Sequence, residues 1–397
     1  MMRALAFAAR SLFRQPGRTA LGILGIAAVG ALLFDMLLLS RGLVVSFRDL
    51  LDQIGFDVRV TATDSPLPGG VRLERASEAA AAIAGLPGIA EVVAMRTATG
   101  EVMRPDRKTA GAGLTGIDPG IRRPWTIISG ADLDAATDPP ALVVNQALMD
   151  FLGMPFGARV SVRVTCSANR ESPVAAPFTL VGVAQFPFDD EAQITGVMTR
   201  TAMRRACGEQ ADDADMLMVA SSGGTTAAVR AIRTARPDLV TVTNEQIVAR
   251  VQTQGFTYFR QISAVLSTIT LLFGFLLITV LLTVSVNQRL AEIAALRALG
   301  FSARRAAIDV LAQGAMLVAI GGLLALPLGY GLSLWLDQIL KAMPGIPAAM
   351  HFFVFEPRAL VTHAALLVVT ALLASAYPMW LVARLPIATT LRNEVVG

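Results

Sequence analysis

The chain has 397 residues, 54% of them apolar and only 16% charged, with a mean hydropathy of +0.58. Soluble domains run at about 45–50% apolar and about 25% charged, which excludes a wholly soluble or disordered protein. A wholly embedded one is excluded too: the chain holds 34 Lys and Arg and 30 Asp and Glu, and such groups cost about 2.5–3.5 kcal/mol each at the middle of a spanning helix.

In chain order, residues 1–18 come first, with Arg3, Arg10 and Arg14 on one stripe of an otherwise Ala, Leu and Phe segment that ends at Pro16-Gly17. The pattern predicts a cytoplasmic or interfacial helix. Residues 19–40 form an apolar run with one charge, Asp35. The run is longer than the roughly 7–15 residues of a signal-peptide core, so it is expected to stay as an anchor. A carboxylate in a spanning helix is a functional candidate by default. Because Asp35 is close to Ser40, it is expected instead to reach the outer interface or to pair with a neighbouring Arg.

Residues 41–260 read as a folded domain in which strand-like and helical patterns alternate between Gly and Pro punctuation. Strands are expected at Asp57–Thr63, Ile89–Met95, Ala141–Val144, Arg159–Val164, Phe178–Ala184, Met216–Ala220 and Leu239–Thr243. Helices are expected at Ser77–Ala84, Gln146–Leu152 and Thr226–Thr234. Ser77–Ile83 followed by Pro87 and Ile89 resembles Thr226–Ile232 followed by Pro237 and Leu239. Two β-α-β units of this kind would form one α/β layer, with residues 100–200 as a β-rich insertion; chance likeness between Ala-rich helices is the alternative.

Three further uncharged runs, 261–288, 310–336 and 359–383, meet the need for about 20 apolar residues per span. Spans are therefore expected at 261–286, 308–336 and 359–383, joined by a connection at 287–307 and a short loop at 337–358, with a tail at 384–397. Basic residues near helix ends stay on the cytoplasmic side. Arg3, Arg10, Arg14 and Arg18 precede the first span, Arg289, Arg297, Arg304 and Arg305 lie between the second and third, and Arg384 and Arg392 follow the fourth. Both chain ends and residues 287–307 are then cytoplasmic, and 41–260 is external. The expected fold is integral membrane α-helical, with four transmembrane helices and a large extracytoplasmic α/β (α+β) domain between the first and second.

The placement of charge removes nucleic acid as a partner. Residues 41–260 hold 22 basic and 24 acidic side chains, so the pI of 9.6 comes from arginines at the cytoplasmic helix ends. Catalytic, cofactor and metal motifs are missing. Lys108 and Lys341 are the only lysines and neither follows a glycine, so there is no phosphate-binding P-loop. His351 and His363 lie in no metal-ligating pattern. Asp189-Asp190-Glu191 and Asp212-Asp213-Asp215 fit no EF-hand loop and read as solvated loops. Cys166 and Cys207, both external, are a candidate disulfide, with two separate thiols as the alternative.

The cytoplasmic connection carries the most specific pattern. Asn287 to Gly331 reads NQRLAEIAALRALGFSARRAAIDVLAQGAMLVAIGGLLALPLGYG. Leu290, Ile293, Ala294, Leu296 and Leu299 form an amphipathic extension of the second span, which Gly300 would stop and Ser302 would restart. The third span presents Gly321, Ala325 and Gly329 at spacings of four, a small-residue stripe for close helix packing within one subunit or across a dimer. Pro327 beside it removes an internal hydrogen bond.

These residues resemble the FtsX-like permease domain shared by the MacB-type (type VII) ABC transporter permeases, whose E-I-x-x-L-R-A-L-G segment matches Glu292, Ile293, Leu296, Arg297, Ala298, Leu299 and Gly300. Ser11–Ile26, Leu114–Asp118, Gly130, Phe178–Val183, Tyr377–Arg384 and Pro386–Glu394 are similar to other parts of that family, in matching order. The likeness assigns 261–397 to the permease domain. A start at the permease without a fused nucleotide-binding domain is closer to DevC-like members. The resemblance implies a multi-pass protein of the bacterial inner membrane with a periplasmic core domain, no catalytic activity or cofactor of its own, and ATP bound by a separate cytoplasmic ABC ATPase. Glu292, Ile293, Leu296, Arg297, Leu299 and Gly300 become the candidates for contact with that ATPase. It further implies a second permease copy or paralogue, membrane lipid as surroundings, and a periplasmic adaptor with an outer-membrane channel. The implied activity is mechanotransmission that extrudes a lipid, lipoprotein, peptide or drug-like substrate from the periplasm or outer leaflet. The alternative is a non-transporting transducer that regulates a periplasmic cell-wall hydrolase.

Overall fold

The computed structural model describes residues 16–64, 71–166, 174–255, 257–288, 290, 293–294, 298–299 and 302–384. The expected helix over 1–14 lies outside them. Four described helices are long and apolar enough to cross a membrane: Thr19–Gln53, Gln261–Asn287, Ala307–Lys341 and Pro357–Val382. A large mixed α/β domain lies between the first two, the architecture expected from the sequence. The chain divides into a unit with the four apolar helices, termed the membrane unit, Met1–Leu43 with Phe256–Ile339 and His351–Gly397, and a second unit, Val44–Gly255 with Leu340–Met350, termed the external unit after the side expected from the charge pattern.

Helix α1 runs from Pro16 to Gln53, beyond the end of its apolar run at Ser40. Leu43, Leu50 and Leu51 are each at most 3% exposed, so one face stays buried after the sequence turns amphipathic. The helix continues through Gly42, where an added Cβ would collide with the Phe352 carbonyl oxygen.

In the external unit the strands are β1 (Val58–Thr61), β2 (Leu73–Glu74), β3 (Ile89–Met103), β4 (Thr109–Ile117), β5 (Thr126–Gly130), β6 (Ala141–Val144), β7 (Arg159–Thr165), β8 (Ala176–Gln185), β9 (Thr195–Met198), β10 (Asp213–Ala214), β11 (Met216–Ser221) and β12 (Val240–Thr243). Between them lie α2 (Ala76–Ala84), α3 (Gln146–Leu152), α4 (Arg200–Cys207), α5 (Thr225–Ala235) and α6 (Asn244–Arg250). The order β12-β1-β11-β3 is antiparallel throughout. Thus β1-α2-β3 and β11-α5-β12 are two split β-α-β units, each straddling a strand of the other, as in a ferredoxin-like layer. Both helices bury their apolar stripes on one face of this sheet: Ala76, Ala79 and Ile83 from α2 and Ile232 from α5, against Val58, Val60, Leu217 and Val219.

The insertion closes on itself. β3 pairs with β4 and β7, β4 with β9, β9 with β6, β6 with β8, and β8 with β7. Six strands therefore form a closed barrel, which leaves no edges among them. Alternation fills it: Val160, Val162 and Val164 of β7 point inward with Val102, Leu114, Leu142, Phe178 and Leu180, and α3 and α4 add Leu148 and Met203. β3 serves both parts, because it continues past Met95, where a strand end was expected at Arg96. Arg96 is fully buried in an ion-pair network, so its charge does not mark a surface.

In the membrane unit, α7 (Thr257–Asn287) follows a π-helical turn at Val251–Gly255, and α8 (Ala303–Lys341) and α9 (Pro357–Ala383) complete the bundle. α8 passes through Pro327 without interruption. Ile26 and Leu33 of α1 meet Ile278 and Leu282 of α7, Leu317 and Val318 of α8, and Leu367, Ala371 and Ala374 of α9.

Candidate functional site

Three places in the structure hold residues singled out from the sequence. At the end of the bundle where α7 leads into α8, Leu290 and Ile293 pack against Val286 of α7, Val310 of α8 and Val382 of α9, and Ala294 is fully buried. Positions 290, 293 and 294 share one helical face, so the start of the connection is fixed to three membrane helices at once. Leu299 is 79% exposed. Ser302 sits immediately before α8, its carbonyl accepting the Arg305 N–H at 3.0 Å. Glu292, Leu296, Arg297 and Gly300 lie outside the described residues.

The small-residue stripe of α8 packs on α1 of the same chain, a choice the sequence left open. A Cβ added at Gly321 would lie 2.6 Å from Ile26 Cγ2, and one at Gly329 would lie 2.8 Å from the Ala31 carbonyl oxygen. Between them Ala325 is fully buried opposite Gly30, where an added Cβ would come within 2.8 Å of Ala325 Cβ. Backbones this close exclude lipid and give each helix a large number of short-range contacts.

One turn further along, Asp35 corrects the expectation placed on it. It neither reaches an interface nor pairs with an arginine among the described residues. It is fully buried, with Oδ1 2.8 Å from Ser333 Oγ. The apolar run is interrupted on its packed face rather than at its end, a distinction that composition does not carry. The Ser333 hydroxyl also lies 2.8 Å from the Gly329 carbonyl oxygen. On α9, His363 is 2% exposed and its ring meets Phe34 edge-on at 5.4 Å.

In the external unit both acidic runs engage other parts of the chain, and the first of them departs from expectation. Asp212, Asp213 and Asp215 are ion-pair partners rather than solvated loop. Arg96 donates to Asp213 at 2.8 Å and to Glu209, Arg72 to Asp213 at 3.1 Å, and Arg200 to Asp118 at 2.8 Å and Asp212 at 2.5 Å. Asp215 accepts the Thr97 N–H at 2.7 Å. The network joins α2, β3, α4 and β10, and a sequence shows neither its partners nor their burial. Beside it, the bonded Cys166 and Cys207, with Cα atoms 5.9 Å apart, tie the strand end after β7 to the last residue of α4. Arg72 also donates to the Cys166 carbonyl at 3.1 Å.

The second acidic run holds the segment between α8 and α9. The Gly345 N–H donates to Asp190 Oδ2 at 2.7 Å, and the Ala348 N–H donates to the Asp189 carbonyl at 2.8 Å. The Gly345 contact keeps the Asp190 carboxyl below the usual carboxylate range. Burial pushes the Asp189 carboxyl up to about 6, although the Asn145 amide donates to it at 2.8 Å. Among the described residues there is no group of three or more His, Cys, Asp or Glu arranged to hold a metal.

Residues 264–387 match the model of the FtsX-like permease C-terminal family. That range contains nearly all of α7, the connection to α8, α8 and α9. No curated protein matches the chain. Among solved structures, the periplasmic region of MacB from Actinobacillus actinomycetemcomitans is similar at 13% identity and a TM-score of 0.39, over 51% of this chain and 95% of that one. The extracellular domain of the noncanonic ABC-type transporter YknZ from Gram-positive bacteria is similar at 13% identity and a TM-score of 0.33, over 47% of this chain and 99% of that one. A domain of a putative permease protein from Porphyromonas gingivalis is similar at 17% identity and a TM-score of 0.33, over 48% and 89% respectively. The likeness to the FtsX-like permease C-terminal family thus lies in residues 264–387, which hold the last three membrane helices and the connection between the first two of them.

Proposed function

We propose that this chain is the permease subunit of an ABC transporter, driven by ATP hydrolysis in a separate cytoplasmic ATPase and working as a pair of permease chains. The observation that carries this reading is the family match over residues 264–387, which includes the whole cytoplasmic connection. The ATPase docks on residues 288–302, with Glu292, Leu296, Arg297, Leu299 and Gly300 as the candidates for contact with it and Ile293 anchoring the segment. A push there acts on the ends of α7, α8 and α9, because Ile293 packs on Val286, Val310 and Val382. α8 passes it to α1 through the Gly321, Ala325 and Gly329 stripe, and α1 continues unbroken to Gln53. The permease then does its work outside the membrane as a population shift between two arrangements, extruding a lipid, lipoprotein, peptide or drug-like substrate, with an adaptor and an outer-membrane channel as external partners.

Co-expression of the full chain with an ABC ATPase from the same source, followed by reconstitution into lipid, tests the reading. Stimulated ATP hydrolysis that Arg297→Glu abolishes is the expected result, and hydrolysis indifferent to the permease or to that substitution would refute the docking assignment. Substrate release to the outer face then separates transport from regulation of an external hydrolase.

A further inference from the structure

We propose that Asp35 sits in this fold as a neutral carboxylic acid and donates its hydrogen to Ser333, completing a relay that fastens α1 to α8. The inference rests on counting hydrogens and is independent of the ATPase assignment. Ser333 Oγ has two oxygen neighbours, Asp35 Oδ1 at 2.8 Å and the Gly329 carbonyl oxygen at 2.8 Å. Both distances are ordinary for O–H···O bonds. A serine hydroxyl, however, owns one hydrogen, and an ionised carboxylate and a carbonyl both only accept.

With Asp35 ionised, the single hydroxyl hydrogen would have to be divided between two acceptors, or one of the two contacts would be lone pair against lone pair. With Asp35 protonated, its O–H donates to Ser333 Oγ and the Ser333 O–H donates to the Gly329 carbonyl, the backbone partner serines use inside helices. Each short contact then contains a hydrogen. The other carboxyl oxygen, Oδ2, is enclosed with no partner. An acid leaves one neutral carbonyl unsatisfied there, at about 1–3 kcal/mol. An anion would instead leave a charge-bearing oxygen unsolvated, which is far more costly.

The surrounding groups offer no compensating charge. On α1 the neighbours Phe34 and Leu38 are apolar and buried, with Ala359 of α9 and Leu326 of α8 beside them. His363 of α9 faces Phe34. Asp337, one turn beyond Ser333 on α8, is already engaged by the Phe352 N–H at 2.7 Å and by His351 Nδ1 at 3.1 Å. From α7, Ser263 bonds the Met36 carbonyl at 2.8 Å. No ion pair links Asp35 to a Lys or Arg among the described residues.

The relay makes the α1–α8 contact sensitive to water. Parting the helices hydrates Asp35, and its proton then passes to water, leaving a carboxylate that favours the parted arrangement. The closed arrangement takes the proton back. By linkage, alkaline conditions favour parting and acid conditions favour closure.

Infrared spectroscopy of the full chain in lipid at neutral pH tests this through the C=O stretch of neutral carboxyl groups, which ionised carboxylates lack. The wild-type protein should show such a band, shifted by carboxyl-carbon isotope labelling of aspartate, and Asp35→Asn should lose it. Ser333→Ala should keep the band but move it, because its hydrogen-bond acceptor is gone. Absence of the band in wild type, or its full retention in Asp35→Asn, overturns the proposal. Should Asp35→Asn not fold, an unshifted band in Ser333→Ala overturns it equally.

Discussion

Gly321 and Gly331 stand on the same helix, α8, and in different surroundings. Replacing each with alanine separates packing from helix propensity. A Cβ at 321 would lie 2.6 Å from Ile26 Cγ2, 2.8 Å from Ile26 Cβ and 3.2 Å from the Ile23 carbonyl, whereas a Cβ at 331 meets nothing within 4 Å. Apolar atoms rest at about 3.5–4.0 Å, so α1 must retreat by about 1 Å to admit the methyl at 321. Overpacking on that scale costs about 1–3 kcal/mol. Both substitutions share the gain of up to about 1 kcal/mol that alanine brings to a helix, so the difference between the variants reports the clash alone. At about 2–4 °C per kcal/mol, thermal unfolding of the full chain in one detergent should separate Gly321→Ala from Gly331→Ala by several degrees, with Gly331→Ala at or above wild type. Ile26→Ala removes the nearest clashing atom and keeps Cβ, so Gly321→Ala should cost less in that background, with a coupling of at least about 0.5 kcal/mol. Equal midpoints for the two glycine variants, or strict additivity with Ile26→Ala, would refute the packing of the stripe on α1 of the same chain.

Two further expectations concern the external unit. The disulfide closes a loop with a sequence separation of 41, for which restriction of the unfolded chain gives about 4 kcal/mol; Cys166→Ser with Cys207→Ser should lower the external unit's denaturation midpoint by a corresponding amount, and a reductant should have no effect on that variant. Asp189, held near 6 by burial against about 3.9 unfolded, binds its proton more tightly when folded, so its contribution is intact below about pH 4 and lost as pH rises through 6. Asp189→Asn should therefore match wild type at pH 4 and exceed it at pH 8 by about 1–2 kcal/mol, the shift having been discounted for partial solvent exposure; lower stability of the variant at pH 8 would contradict the burial argument.

The sequence showed most of the external unit where apolar residues recur at the period of an element. Ala141–Val144 and Gln146–Leu152 were expected within the same bounds as β6 and α3, and the paired helix-to-strand patterns became the two split β-α-β units. β4 escaped because Thr109-Ala-Gly-Ala-Gly-Leu-Thr-Gly-Ile117 has almost no bulk and reads as a loop. Its small residues answer a barrel wall against which helices lie: a Cβ at Gly116 would stand 2.9 Å from Met203 Sδ of α4. β5 and β9 are short, and their pairing partners are distant in sequence. Arg96 and the aspartates at 212, 213 and 215 depart from expectation for one shared reason: charge in a sequence reads as a sign of solvent, and here each charge is another's partner.

Within the membrane unit the limit on what a sequence reveals has a different origin. On α7, Leu272, Phe273 and Leu276 are 57%, 62% and 47% exposed, whereas Ile278 and Leu282 are at most 2% exposed. These residues are chemically alike because lipid is as apolar as a leucine side chain, so no hydrophobic pattern distinguishes the packed face from the lipid face. Only residues that are too small or too polar for lipid carry that information. The positions that record how α1 and α8 meet are Gly30, Ala31 and Asp35 on one helix and Gly321, Ala325, Gly329 and Ser333 on the other. Asp35 is the sole charge in residues 19–40, and its fully buried position fixes the rotation of α1: turning the helix to expose this side chain to lipid would bring a polar group into hydrocarbon and withdraw Gly30 and Ala31 from α8. The polar pair and the small-residue stripe therefore specify the same interface by independent costs, one electrostatic and one steric.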